Sequence, residues 1–344
     1  MILNSQYKNS SSFPMDIKLN GKDAQLNKDF IAPSEINAQL YSPTGTPIQS
    51  DRNIVLSCAN NMLFLTYNAF AISYSENGIY WQKASIPSIT GIIYSKIFYA
   101  RGKYFTVVYN SMEDYVILLY SSNGKTWSQK TTNVTNGDYL YFYIDEKVAM
   151  IMHGAGLFVS YDSDILNTSW KKISTIAPQV VVPYDDSSWL LASQNNLYWM
   201  SDSSGLSQIP LESKSRGTFV NLVGGINTNV FVMCFQKGYY IIEDASDKGT
   251  VKFISFGSSS SDNITDIGYL NNYFLLITDK QPLSVYYSRN ISPSNWDGFS
   301  IPKSFYLYHC ACSYDTFYGY RADDGNDNYL IKIPCGETIT VTYK

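Results

Sequence analysis

Histidine and arginine are scarce in this chain. Its 344 residues include two histidines, His153 and His309, and five arginines, Arg52, Arg101, Arg216, Arg289 and Arg321. Two histidines exclude a His-rich metal centre. Charged residues make up 16% of the chain and the formal net charge is −4. Such a surface offers no electrostatic footing for a phosphate backbone, so nucleic acid is not an expected partner. The cysteines, Cys58, Cys234, Cys310, Cys312 and Cys335, are odd in number and form no CxxC pair. That argues against zinc and for buried thiols made in a reducing cytosol. Cys310 and Cys312 alternate through Ala311 and fall on one side of a strand. No apolar run approaches a membrane-spanning helix. The opening residues, Met1 to Lys8, lack a secretory pattern, so synthesis in the cytoplasm without a leader is expected. No long segment repeats at 3.6 residues, which leaves little room for helix.

Aromatics fill the space: 30 Tyr, 17 Phe and 6 Trp in a chain that is 45% hydrophobic. They suit pleated sheets. Two octapeptides nearly coincide. Tyr74-Ser75-Glu76-Asn77-Gly78-Ile79-Tyr80-Trp81 matches Tyr120-Ser121-Ser122-Asn123-Gly124-Lys125-Thr126-Trp127, with the tryptophans 46 positions apart. Each lies between strand-like runs, and Asn-Gly is the strongest short hairpin signal because both turn residues need positive φ. Trp170 follows Trp127 by 43 positions, and Ser288 to Trp296 is a looser copy. Asn60-Asn61 and Arg101-Gly102 mark tight turns before the octapeptides. A period of this length in β-rich sequence specifies a β-propeller. The chain is expected to be all-β, with four-stranded antiparallel blades, seven in number and six as the alternative. Residues 51–344 form the ring. Residues 1–50, rich in Asn, Ser, Lys and Pro and without the repeat, form an extended arm that is held by a partner or by the ring itself. Ring closure falls either to the strand at 338–342 or to one at 38–41.

The octapeptides resemble the Asp-box of sialidase-like propellers. Ser75 and Ser121 stand at its serine, Asn77 and Asn123 in its turn, Gly78 and Gly124 at its glycine, and Trp81 and Trp127 at its tryptophan. One residue fewer separates serine from glycine than in the commonest form. Trp170, Ser288 and Trp296 fit more loosely. The resemblance implies a structural role for these residues, in outer hairpins remote from any catalytic centre. The surrounding rhythm is similar to repeat proteins of bacteriophage tails and baseplates. The family's arginine triad, tyrosine nucleophile and acid residues cannot be carried over: five scattered arginines do not supply the carboxylate clamp. The expectation is therefore a non-enzymatic virion component without catalytic residues, cofactor or metal. Its arm would bind other tail proteins, and its disc would bind host cell-wall glycan, a surface protein or neighbouring subunits. A glycan-binding module and a divergent glycosidase are the alternatives. The oxygen-rich run at 323–328 lacks EF-hand spacing and reads as a solvated hairpin.

Overall fold

The expected all-β architecture is present in the computed structural model. It describes residues 15–19, 22–33, 39–41, 44–45, 55–67, 71–89, 95–110, 112–135, 140–202, 205–225, 230–245, 249–256, 262–271, 273–280, 283–289, 296–301, 309–313, 316–321 and 329–343. Among these residues every regular element is a strand. The run at 323–328 and Arg52 lie outside the described residues.

Six sheets are four-stranded and antiparallel. They comprise residues 98–135, 141–174, 180–209, 219–255 and 264–301, and a closing sheet of 309–334 completed by Gln39–Tyr41. A further sheet at 55–83 has four antiparallel strands plus a fifth, Thr44–Gly45, parallel to Tyr80–Lys83. The first strand of each sheet touches the first strand of the next, and His309–Ser313 touches Val55–Ala59 to close the circle. This is a β-propeller. The ring has seven sheets; six are four-stranded as expected, and the one at 55–83 departs from the expectation by carrying a fifth strand. The sheet at 55–83, called the first blade below, gains its extra strand because the segment leaving the closing blade runs on along its outer edge.

Period-two alternation builds the packing. In the second blade (98–135), Lys103–Asn110 and Tyr115–Ser121 are almost continuously buried. Phe105, Val107, Val116 and Leu118 pack with Phe142, Ile144 and Ile151 of the third blade. Tyr104, Val108, Ile117 and Leu119 pack on the other side with Phe64 and Ile72 of the first. Both faces are thus buried by neighbours, which is why these strands read as unbroken apolar runs. Each such side chain contributes about 1.5–3 kcal/mol.

Of the two strands considered for closure, Gln39–Tyr41 takes the place, with Leu40 opposite Ile331. The C-terminal strand, Gly336–Tyr343, instead pairs with Lys22–Ile31, which also pairs with Met15–Leu19. Sheets therefore draw strands from both sides of the 50/51 boundary.

Candidate functional site: the turn face of the ring

Antiparallel succession places the turn between strands one and two of a blade at the same end as the hairpin between strands three and four. The octapeptides form such hairpins. In the first, Ser75 Oγ accepts the Gly78 amide at 2.8 Å, Asn77 Oδ1 accepts the amides of Ile79 and Tyr80 at 2.8 and 3.0 Å, and Trp81 Nε1 donates to Gly78 O at 2.9 Å. The second repeats this: Ser121 Oγ accepts Gly124 N at 2.9 Å, Asn123 Oδ1 accepts Lys125 N and Thr126 N at 2.9 Å each, and Trp127 Nε1 donates to Gly124 O at 3.0 Å. Gly78 and Gly124 hold φ of 79° and 71°, as the turn requires.

Each hairpin also seats on the preceding blade. A Cβ on Gly78 would lie 2.6 Å from Leu330 of the closing blade, and one on Gly124 would lie 2.9 Å from Met62 and Phe64 of the first. Trp127 meets Phe64 edge-on at 6.3 Å. At three joints the segment leaving one blade then pairs with the hairpin of the next. Thr44 N donates to Ile79 O at 2.8 Å, Ser85 N to Lys125 O at 2.8 Å, and Val251 N to Pro210 O at 2.9 Å. Between the second and third blades a side chain substitutes for this pairing. Asn133 Nδ2 donates to Trp170 O at 3.1 Å, and its Oδ1 accepts Trp170 N at 2.8 Å. A carboxamide carries the same donor and acceptor as a peptide group. In the third hairpin Ser160 Oγ and Thr168 Oγ1 lie 2.9 Å apart, and Trp170 is buried. Ser288 is buried at the end of Leu283–Ser288, and Trp296 Nε1 donates to Tyr239 OH at 2.9 Å.

The inner turns of this face link adjacent blades as well. The Arg101 amide donates to Glu146 Oε1 at 2.7 Å, its Nε donates to Asp145 O at 3.1 Å, and Nη1 donates to Asp162 O. Burial lowers the Arg101 pKa, opposed by Asp145, Glu146 and Asp162, and the guanidinium stays charged. Asp145 Oδ2 accepts Trp189 Nε1 at 2.8 Å and Tyr143 OH at 2.9 Å. Burial first, and then Asp145, raise the Tyr143 pKa. The other arginines with described side chains sit apart. Arg216 lies over Phe235 at 4.9 Å and Arg289 over Tyr273 at 4.5 Å. Among the described residues no group of three His, Cys, Asp or Glu side chains is placed to hold a metal.

What this face offers outward is tyrosine. Tyr80 is 66% exposed, Tyr99 41% and Tyr161 50%. Tyr80 and Tyr161 stand in hairpins of the first and third blades, and Tyr99 stands beside the inner turn of the second. Sequence reasoning singled out none of these three, because 30 tyrosines look alike without burial.

The fold matches solved propellers. A streptogramin B lyase aligns with a TM-score of 0.65 at 9% identity, over 88% of this chain and 99% of that one. A virginiamycin B lyase from Staphylococcus aureus gives 0.64 at 8%, over 86% and 98%. YCF48 from Cyanidioschyzon merolae gives 0.59 at 13%, over 87% and 98%. At these identities the likeness is one of fold. No protein family profile matches the chain, and no characterised protein sequence does.

Proposed function

We propose that this chain is a non-enzymatic adhesion and structural component of a bacteriophage tail, baseplate or related virion assembly, built on Asp-box-like repeats. The disc contacts host surface or neighbouring subunits, and residues 1–50 anchor it to other tail proteins. One observation carries the reading. The polar groups of the two octapeptide hairpins are engaged by their own turns, while Tyr80, Tyr99 and Tyr161 of the same face stand open to solvent. Rigid tyrosines on a stiff scaffold suit contact rather than chemistry, since they offer large amphipathic surface at low entropic cost. The same tyrosines favour a second reading, a glycan-binding propeller.

Mass spectrometry and electron cryomicroscopy of purified particles test the first reading. The expected result is this chain at the tail or baseplate, with density from neighbouring proteins against residues 1–50. Particles that lack the chain would overturn it.

A further inference from the structure

The seam between the first and second blades on the turn face carries polar and aromatic side chains above its packed core. From the inside outward it presents Tyr99, the Asn60 turn above Tyr104, the Glu76 and Lys125 pair, and Tyr74. Asn60 Nδ2 donates to Tyr104 OH at 3.3 Å, and Tyr99 meets Tyr104 edge-on at 4.9 Å. Tyr104 is buried, whereas Asn60 and Tyr99 are exposed. Lys125 Nζ lies 2.9 Å from Glu76 Oε1 and 5.6 Å from the centre of the Tyr74 ring. Burial raises the Tyr104 pKa, which keeps its hydroxyl neutral.

We propose that this seam binds an uncharged pyranose oligosaccharide. The inference rests on the surface-contact reading above and names what is contacted. A pyranose ring has an apolar C–H face, for which an exposed phenol ring is a partner, and a rim of hydroxyls that need both donors and acceptors. The seam brings these features together around Tyr104. Tyr99 supplies the ring and Asn60 a carboxamide. Glu76 and Lys125 supply an acceptor and a donor whose charges cancel, so a charged sugar gains nothing from them. Both charged groups are already side by side, with the Lys125 side chain 44% and the Glu76 side chain 67% exposed, so hydroxyls can bridge them without separating buried charges.

The test is an array of purified glycans, neutral, sialylated and sulfated, probed with the full chain and with Y99A, N60G and R289A. Glycine keeps the positive φ of 43° at residue 60 while removing the amide. R289A controls for an exposed change on another blade. Circular dichroism melts confirm folding of each variant. The expected result is binding to neutral glycans, weakened at least about tenfold by Y99A and by N60G, and unchanged in R289A. An array silent throughout, signal confined to sialylated or sulfated glycans, or equal binding by Y99A and N60G would each overturn the proposal. A silent array with particles that still carry the chain at the tail leaves the structural reading intact. Binding by a chain absent from particles does the reverse.

Discussion

Gly124 and Gly102 provide a matched pair for measuring how firmly a hairpin seats on its neighbour. Both hold positive φ, 71° and 76°, in turns of the second blade. A Cβ on Gly102 would meet nothing within 4 Å, whereas one on Gly124 would meet Met62 Sδ and Phe64 Cζ at 2.9 Å. Gly102→Ala therefore carries only the left-handed backbone cost, about 1–2 kcal/mol. Gly124→Ala carries that cost and an overpacking term of about 1–3 kcal/mol. Met62 can swing aside at its thioether. Phe64 cannot, because it is wholly buried between Tyr104 and Trp127. The total for Gly124→Ala is about 2–5 kcal/mol. With roughly 2 °C of Tm per kcal/mol in a chain of this size, Gly102→Ala should melt about 2–4 °C below the parent and Gly124→Ala about 4–10 °C below it. Differential scanning calorimetry at one scan rate reads both. Equal shifts would refute the claim that the hairpin is wedged against the first blade.

Asn77→Asp and Asn123→Asp should be close to neutral, because a carboxylate accepts the same two amides, whereas Asn77→Ala should cost about 1–2 kcal/mol in urea denaturation. Asn133→Ala should cost about 1–3 kcal/mol and speed exchange of the Trp170 amide in hydrogen-exchange mass spectrometry, since both bonds of that link are lost. His153 is buried, its Nδ1 accepts the Ala155 amide at 3.1 Å, and it stacks on Phe158. Burial, and then Lys172, hold its pKa below the ordinary value, with Asp114 opposing. The unfolded chain thus takes up this proton first, so stability should fall as pH drops through 6.5 toward the depressed folded value, and His153→Gln should reduce the Tm difference between pH 7.5 and pH 5. Deleting residues 1–43 removes the outer strand of the closing blade and should lower Tm by more than 10 °C, and an unchanged melt would contradict the pairing of Leu40 with Ile331.

The propeller was legible because two octapeptides preserve turn chemistry that physics constrains tightly: a glycine at positive φ, a short acceptor two and three residues before the amides it binds, and a tryptophan. The closing strand was legible only as one of two candidates. Residues 338–342 alternate as cleanly as any ring strand, and nothing local says that Gly336–Tyr343 prefers Lys22–Ile31. Pairing across nearly the whole chain is a competition between distant partners, not a property of either segment. The outward tyrosines stayed hidden for a related reason: Tyr99 and Tyr104 are five positions apart, one exposed and one buried, and only the neighbouring blade distinguishes them. The Asn133 link was invisible because a side chain replaces a backbone pairing that three other joints make.

A ring whose last edge is supplied by Gln39–Tyr41 has a temporal asymmetry. On the ribosome this strand emerges early and waits, unpaired, until Tyr329–Pro334 has been made. Joining ends so far apart costs about 5 kcal/mol of chain entropy, so the disc is fastened late and all at once. Until then, a waiting strand from one nascent copy can fill the open edge of another, and crowded polysomes would favour such exchange over closure within a single chain.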